Sequence, residues 1–282
     1  METKILQHED VLGLLPDRKP WSHKGDYGKL LLLCGSRGYT GAAYLAAMGA
    51  LRTGAGLVFL GVPDSIYTIE AVKLNEAIVF PLRDTDGKLC SDALTEILQR
   101  LDQMDAVLIG CGLGRSSEVE EVVCSVLRNA RCPVVVDADG ISLLSTHKDI
   151  LRGRKYPTVI TPHDGEFSRL GGSVSQDRMS SAAEIAREWN CIVLLKGHET
   201  CITDGVSGYR NQTGNPGMAV GGSGDLLAGM IVSLLGQGIA PLEAAACAAW
   251  LHGASGDCCA EEMGQYAMLP TDMLRTLPRL MK

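Results

Sequence analysis

Short, uninterrupted apolar runs recur along this chain, and most end at glycine or a polar residue. The run Lys29–Cys34 (KLLLLC) is typical of a strand whose two faces are both buried in a parallel sheet. The same pattern predicts five further strands, at Leu57–Gly61, Asp105–Gly110, Pro133–Asp137, Thr158–Thr161 and Cys191–Lys196.

Segments with helical periodicity separate these runs, at Thr40–Thr53, Ser91–Leu101, Glu118–Asn129, Asp164–Leu170 and Ser180–Trp189. Strands that alternate with helices imply parallel crossovers, so the pattern predicts an α/β sandwich of three layers, αβα, with a mostly parallel central sheet. The last third changes character. Two short strands, Thr200–Thr203 and Gly208–Asn211, precede a glycine-rich loop and two long helices, Ser223–Leu235 and Leu242–Glu262. Since no linker-like segment interrupts the pattern, we expect one domain over residues 1–282.

Glycine is the unusual component, at 33 of 282 residues, or about 12% against an average near 7%. There is no G-x-y period, so the surplus is expected in turns and in loops that approach a ligand closely. The net charge of −7 argues against a surface that attracts nucleic acid or anionic lipid. A local anion site remains open, because backbone amides can form one without charged side chains.

The ten cysteines contain no C-x-x-C pair and lie mostly in apolar stretches. Buried free thiols are therefore expected, rather than a disulfide framework or a zinc site. The N-terminal segment carries acidic residues and lacks the apolar core of a signal peptide. Since no apolar run has the length of a membrane span, we expect a cytoplasmic protein without a membrane partner.

Candidate chemistry gathers where the predicted strands end, which is where open parallel sheets bind ligands. Four strands run into Gly110–Arg115, Asp137–Gly140, Pro162–Glu166 and Gly197–Thr200. Asp137 and Asp139 have the side chains of catalytic groups, yet a D-x-D at a strand end can simply cap the next turn. We therefore leave both out of the predicted catalytic set.

The strongest signal is Asn211–Asp225, with five glycines in fifteen residues before a predicted helix. Such a loop lets successive amide N–H groups converge on an anion at the helix start. Asp225 falls in the first turn and would face that anion, which suggests a base for an attacking hydroxyl. The alternative is a tight turn in which Ser223 or Asp225 caps the helix. The length of the run favours the functional interpretation.

Other nucleotide and hydrolase motifs do not match. Gly35–Gly41 lacks the Gly-Lys-Ser/Thr of a P-loop, and Gly110–Arg115 has arginine where a dinucleotide fingerprint needs its third glycine. Gly221–Asp225 is not a G-x-S-x-G nucleophile elbow. If the glycine-rich loop serves phosphoryl transfer, it does so without a P-loop, and this narrows the candidate families.

From about Lys24 to Leu277 the chain resembles the ADP/ATP-dependent NAD(P)H-hydrate dehydratases of the ribokinase-like superfamily. The resemblance rests on His23–Val58 and on the segments IGCGLGR, VVDADG, ITPHDGEF, LLKGHET and NQTGNPGMAVGGSGDLLAGMI. Ser223 departs from the usual threonine, but either hydroxyl can cap a helix. Many members carry an N-terminal epimerase domain, which 282 residues do not accommodate, so we expect a stand-alone dehydratase.

The resemblance implies a lyase that repairs NADHX and NADPHX, forms of NAD(P)H hydrated at C6 of the nicotinamide ring. ADP would phosphorylate the hydroxyl of the S epimer, and phosphate would then be eliminated. Mg²⁺ is implied with ADP, without assignable metal ligands. A homotetramer and a functional partnership with a separate NAD(P)HX epimerase are also implied. ADP rather than ATP is expected on the resemblance alone.

The resemblance also implies the site residues. Asp225 would be the catalytic base and contact the substrate, together with Ala42, Gly112 and His163. The nucleotide would bind Lys196, Gly197, His198, Glu199, Thr200 and Gly224, and the anion hole would be Gly222, Ser223 and Gly224.

Structural alternatives exist for several of these residues. His163 could start a helix and bond to backbone, Ala42 could be an ordinary core residue, and Lys196 could be a solvated strand end. His252 is expected at a helix–helix contact. Two rival functions stay open: a small-molecule kinase of the hydroxyethylthiazole-kinase type, and a non-catalytic nucleotide sensor, which would not need Asp225.

Overall fold

The computed structural model describes residues 2–174 and 177–282. The strands are β1 (Glu2–Lys4), β2 (Lys29–Leu33), β3 (Leu57–Pro63), β4 (Ile78–Leu82), β5 (Asp84–Thr85), β6 (Lys88–Leu89), β7 (Ala106–Ile109), β8 (Val134–Val136), β9 (Thr158–Ile160), β10 (Ile192–Leu195), β11 (Cys201–Thr203) and β12 (Ser207–Arg210).

The α-helices are α1 (His8–Leu14), α2 (Thr40–Arg52), α3 (Asp64–Lys73), α4 (Leu94–Leu101), α5 (Ser117–Asn129), α6 (Asp139–Leu144), α7 (Lys148–Gly153), α8 (Asp164–Arg169), α9 (Arg178–Trp189), α10 (Ser223–Gly236), α11 (Pro241–Met263) and α12 (Pro270–Leu280). Short 3₁₀ turns occupy Lys24–Tyr27, Ser91–Ala93 and Pro216–Met218. Among the residues that the structure describes, no helix is both long and apolar enough to cross a bilayer.

Ten strands form one sheet in the order β1-β12-β11-β10-β9-β8-β7-β2-β3-β4. The neighbours from β10 to β4 are all parallel, with Leu30 opposite both Val58 and Ala106. Only β11 runs against its neighbours, and β5 and β6 form a separate small hairpin. The carboxyl ends of the parallel strands therefore meet at one edge of the sheet.

The two faces of the sheet pack into two separate hydrophobic clusters. Leu30 and Leu32 of β2 belong to one cluster, and Leu31 and Leu33 to the other, as the alternation of a strand requires. Helices α2, α10, α11 and α12 contribute to the first cluster, and α4, α5 and α9 to the second. This arrangement confirms the predicted α/β sandwich with a mostly parallel sheet.

The predicted elements match the structure to within two residues at nearly every end. The exception is Ser91–Leu101, whose first turn is 3₁₀ rather than α-helical. The alanine-rich segment of α11 is buried over Ala244–Ala249.

Several elements at the margins were not predicted: β1, α1, α3, β4, the β5–β6 hairpin, α6, α7 and α12. Their sequences explain why. Strand β1 is fully exposed, β4 contains Pro81, and α12 contains Pro278. None shows the clean apolar pattern of the central strands.

Candidate active site

The glycine-rich loops and polar strand ends meet at the carboxyl edge of the sheet. The loop after β2 is tied to the loop after β7 by the Gly35 amide, which donates to the Cys111 carbonyl at 2.8 Å. Asp137 after β8 and Lys196 after β10 lie in contact, and the start of α10 packs against both. The predicted gathering of these loops at one edge is confirmed.

Glycine is required at position 222, immediately before α10. Gly222 precedes the helix with φ +95°, a conformation that disfavours side chains, and a β-carbon there would lie 2.3 Å from Leu45 Cδ1. The helical ladder begins with the Leu226 amide donating to the Gly222 carbonyl at 3.1 Å. The amides of Gly224 and Asp225 precede that bond and are free to face an anion.

Asp225 occupies the first turn of α10 in a setting that favours its protonated form. Burial, and then the negative charge of Asp137, raise the pKa of Asp225 to about 6. A hydrogen bond from Cys111 and the positive charge of Lys196 act in the opposite direction. The carboxylate is thus a stronger base than an ordinary aspartate, yet still mostly ionised at pH 7.

Lys196 lies inside the site rather than on a solvated strand end, so that structural alternative is wrong. Its ammonium nitrogen is 2.8 Å from Asp137 Oδ1 and 3.9 Å from Glu166 Oε2, and the side chain is 21% exposed. A β-carbon on Gly224 would lie 3.4 Å from this nitrogen. Burial disfavours the charged lysine most, but Asp137 and Glu166 outweigh it, so the pKa of Lys196 lies above its usual value.

The segment that follows Lys196 forms a compact turn into β11. The Thr200 hydroxyl donates to the Gly197 carbonyl at 3.0 Å, and the Gly197 amide returns a bond to that hydroxyl at 3.3 Å. Arg178 of α9 donates to the Lys196 carbonyl at 2.8 Å, which fixes the start of the turn. His198 is exposed, and Glu199 pairs with Arg210 of β12 at 3.2 Å.

Gly112, in the loop after β7, faces Ala42 in the first turn of α2. Gly112 has φ +63°, and a β-carbon on it would lie 2.7 Å from Ala42 Cβ and 3.0 Å from Tyr39 Cβ. The Ser36 hydroxyl donates to the Gly112 carbonyl at 2.7 Å. Small residues at both positions therefore allow the loop after β7 to approach α2.

His163 caps a helix, as its structural alternative described. Its Nδ1 accepts from the amides of Gly165 and Glu166 at 2.9 and 3.3 Å, at the start of α8. The other ring nitrogen lies 3.5 Å from Glu166 Oε1, and the side chain is 54% exposed. The cap uses one nitrogen only, so a substrate contact through the exposed part of the ring stays a prediction.

His252 lies where α11 meets the start of α10, which confirms the expected helix–helix contact. Its Nε2 is 3.2 Å from the Ser223 hydroxyl, and burial lowers the pKa of His252 to about 4. The ring is consequently neutral at pH 7 and positions Ser223 without adding charge to the site.

Asp137 is the residue that sequence reasoning set aside and the structure brings into the site. Its carboxylate contacts Lys196, Thr161 and Cys111 and faces Asp225. One feature of the sequence could have indicated this role: Asp137 comes directly after a buried central strand. Asp139, by contrast, points to the loop after β7 and accepts from the Gly114 amide and the Arg115 guanidinium, both at 2.9 Å.

One cluster of possible metal ligands occurs in the described part of the chain, formed by Cys111, Asp137 and Asp225 with ligand atoms within 4.8 Å of one another. It does not suit a resident Mg²⁺, because Mg²⁺ prefers six oxygen ligands and here a thiol and the Lys196 ammonium complete the group. Neighbouring Cys34, together with burial, raises the pKa of the Cys111 thiol, which opposes its ionisation.

Comparison with known proteins gives a consistent result. Residues 30–279 match the family model described as NAD(P)H-hydrate dehydratase. The ADP-dependent (S)-NAD(P)H-hydrate dehydratase of Bacillus subtilis is 36% identical, and the match covers 100% of this chain and 99% of that protein. The bifunctional NAD(P)H-hydrate repair enzyme Nnr of Moorella thermoacetica is 46% identical over 95% of this chain, which spans 52% of that relative's length.

Solved structures agree with the fold. The ADP/ATP-dependent NAD(P)H-hydrate dehydratase of Bacillus subtilis, co-crystallised with ATP and Mg²⁺, superposes with a TM-score of 0.86 and 32% identity, over 99% of this chain and 98% of that one. A ribokinase-like superfamily protein of Enterococcus faecalis superposes with a TM-score of 0.87 and 28% identity, over 99% of this chain and 95% of the other. The fold, the glycine-rich start of α10 and the match over most of the sequence lead to one conclusion: this chain belongs to the NAD(P)H-hydrate dehydratase family.

Proposed function

We propose that this protein catalyses the ADP-dependent dehydration of the S epimer of NADHX and NADPHX, producing NAD(P)H, AMP and phosphate. Family membership supports the reaction class, and the name of the Bacillus subtilis relative supports the phosphate donor and the epimer. The observation that carries the proposal is Asp225, a carboxylate of raised pKa beside free helix-start amides and Lys196.

Asp225 acts as the general base. It accepts the proton of the C6 hydroxyl while that oxygen attacks the β-phosphorus of ADP, and AMP departs. A base with a pKa of about 6 is ionised at neutral pH and still holds a proton well, which suits it to this task. The C6–O bond then breaks and phosphate departs, and a proton leaves C5 to solvent, so that the C5–C6 double bond of the dihydropyridine ring forms.

The negative charge that develops on the transferred phosphoryl group is stabilised by groups at the start of α10. The amides of Gly222 and Gly224 form the anion hole, reinforced by the helix dipole. The Ser223 amide, predicted as a third donor, instead donates to the Val220 carbonyl at 3.4 Å. The Lys196 ammonium, next to Gly224, adds a positive charge in a partly buried setting. This supply of local positive charge compensates for a protein of net charge −7.

The two substrates occupy neighbouring parts of the same edge. ADP binds along Lys196–Thr200 and Gly224. The hydrated nicotinamide ring lies between Asp225 and the Ala42–Gly112 contact, with His163 at its border. Support comes from the small residues Ala42 and Gly112, which let the loop after β7 approach α2 beside Asp225 and its neighbour Cys111.

Mg²⁺ is proposed to arrive with the phosphates of ADP and to neutralise part of their charge. No protein ligand is assigned to it, since the one ligand cluster of the described residues is better suited to Lys196 than to Mg²⁺. Proton transfer and charge stabilisation are therefore assigned to Asp225, the amides at the start of α10 and Lys196.

The proposed function also extends to domain organisation, assembly, cellular location and a partner enzyme. We expect residues 1–282 to form one catalytic domain, to assemble as a homotetramer and to act in the cytoplasm. A separate NAD(P)HX epimerase would convert the R epimer into the S epimer that this protein consumes. The relation to bifunctional repair enzymes supports a pairing of two activities.

Turnover is tested with purified (S)-NADHX, ADP and MgCl₂ by following NADH absorbance and quantifying AMP and phosphate. We expect NADH, AMP and phosphate in equal amounts, and a loss of at least about a thousandfold in Asp225→Asn. The Asn variant keeps the shape of the site, so its affinity for ADP should stay close to that of the wild type.

Three outcomes would argue against the proposal. A phosphorylated hydrate that accumulates without NADH would favour a kinase. Binding of ADP with no turnover under any phosphate donor would favour a nucleotide sensor. Unchanged turnover in Asp225→Asn would remove Asp225 from its role as the base.

A further inference from the structure

The carboxylate of Asp137 lies at the centre of the site, although it has no role in the reaction proposed above. It follows β8 directly, its amide continues the sheet by donating to the Ile109 carbonyl at 3.2 Å, and its side chain is 2% exposed. The next residue, Ala138, has φ +48° and ψ −117°. This conformation is costly for a residue with a β-carbon, and it separates the directions in which Asp137 and Asp139 point.

The two oxygens of Asp137 have different neighbours. Oδ1 accepts from the Thr161 hydroxyl at 2.6 Å and from Lys196 Nζ at 2.8 Å. Oδ2 faces the Cys111 thiol at 3.6 Å and lies 3.9 Å from the place that a β-carbon of Gly224 would take. Asp137 is therefore fixed in place, with one oxygen holding the lysine and the other directed to the start of α10.

We propose that Asp137 is a positioning residue with two effects: it holds the Lys196 ammonium beside the nucleotide-binding turn, and its negative charge makes Asp225 a stronger base. This inference rests on the proposed function of Asp225 and Lys196. Asp137 itself does not contact the reacting atoms.

The electrostatic effect follows from the charges around Asp225. Asp137 is the nearest negative group and Asp139 a more distant one, while Lys196 is the neighbouring positive group. Cys111 carries a protonated thiol, His252 is neutral, and Glu166 acts on Lys196. A like charge nearby penalises ionisation, in agreement with the raised pKa of Asp225.

The positioning effect follows from geometry. A lysine has four rotatable side-chain bonds, so an unanchored ammonium would sample many positions. The charge-assisted bond to Asp137 holds it within 3.4 Å of the β-carbon position at Gly224. Without this anchor the ammonium is free to turn towards Asp225, which would remove it from the phosphates and weaken the base at the same time.

The test is a carboxyl ¹³C NMR titration of the free protein, with the Asp225 resonance assigned from its absence in Asp225→Asn. We expect a pKa of about 6 in the wild type and a value at least about one unit lower in Asp137→Asn. Lys196→Met is an independent second variant. It should shift the pKa of Asp225 in the opposite direction, upwards, because the positive ammonium is lost. The matched control is Asp149→Asn, which removes one charge from an exposed pair with Arg152 and should leave the titration unchanged.

Kinetics give a second readout that a merely structural role would not produce. In Asp137→Asn the acid limb of the kcat profile should move to lower pH, and the KM for ADP should rise roughly tenfold. If the pKa of Asp225 is the same in Asp137→Asn and in Lys196→Met as in the wild type, the inference is overturned, even if the enzyme is active. The NMR titration needs no turnover, so a failure of the proposed reaction is distinguishable from a failure of this inference.

Discussion

At the scale of single residues, the site is built from one buried carboxylate, Asp137, one partly buried carboxylate, Asp225, and one lysine, an arrangement that carries a cost in stability. Asp225 has a pKa of about 6 in the folded protein, against an ordinary value of 3.8. The folded state thus binds a proton there more tightly than the unfolded state. The stability gained from that proton is complete below pH 4 and is lost as the pH rises through 6.

Asp225→Asn should therefore be more stable than the wild type at pH 7.5 and similar to it at pH 4, because asparagine does not ionise. Thermal unfolding at both pH values measures the difference, and we expect a higher Tm for the variant at pH 7.5 only. A lower Tm at pH 7.5 would contradict the burial and charge environment assigned to this carboxylate.

The sequence made Asp225 and Lys196 identifiable because each falls within a recognisable motif. Asp137 was not, although it also follows a predicted strand. Its partner Lys196 is 59 positions away, and Cys111 comes from a third strand end. Only the order of strands in the sheet brings these three residues together, and hydrophobic patterning does not determine that order.

At the scale of elements, α10 and the turn after β10 carry most of the proposed chemistry. Both depend on backbone shape that particular residues impose. The start of α10 requires a positive φ at Gly222 and packs against Leu45 of α2. The turn at Lys196–Thr200 is held from outside by Arg178 of α9.

Gly222→Ala should destabilise the protein by about 1–3 kcal/mol, because alanine is strained at this φ and its β-carbon would collide with Leu45. Chemical unfolding measures the change. Gly221→Ala is the matched control: it adds the same methyl group one residue earlier, where no atom lies within 4 Å. Equal stability of the two variants would mean that the start of α10 is not constrained as described.

Arg178→Leu should raise the KM for ADP several-fold and change the KM for the hydrate little. The guanidinium anchors the Lys196 carbonyl at 2.8 Å and Asp164 at 2.7 Å, so its loss loosens the nucleotide-binding turn. Arg152→Leu serves as a control, since Arg152 pairs with Glu188 at the other end of α9. A rise in the KM for the hydrate alone would reverse our assignment of the two substrates.

The central elements were predictable because strands buried on both faces leave an uninterrupted apolar run such as Lys29–Cys34. The marginal elements were not. The edge strand β4 has an exposed Ile78 and a proline, and α12 combines Pro270 at its start with Pro278 inside. Packing against the rest of the protein stabilises these elements, and the hydrophobic pattern of their own residues does not reveal that contribution.

At the scale of the whole molecule, the proposed function places two polyanionic substrates at one edge of the sheet of an acidic protein. The glycine surplus serves this purpose: Gly35, Gly112 and Gly222 all adopt positive φ at that edge. Their loops bring backbone amides together at this edge, close to the side chains of Arg115 and Lys196. Local geometry, rather than net charge, thus determines the binding site.

The central claim is that the C6 hydroxyl leaves as part of a phosphate. The most direct measurement uses (S)-NADHX labelled with ¹⁸O in that hydroxyl, incubated with the enzyme, ADP and MgCl₂, followed by mass spectrometry of the released phosphate. Transfer of the phosphoryl group to the hydroxyl and cleavage of the C6–O bond predict one ¹⁸O atom in each phosphate formed. Phosphate without the label, with ¹⁸O in water instead, would contradict the account.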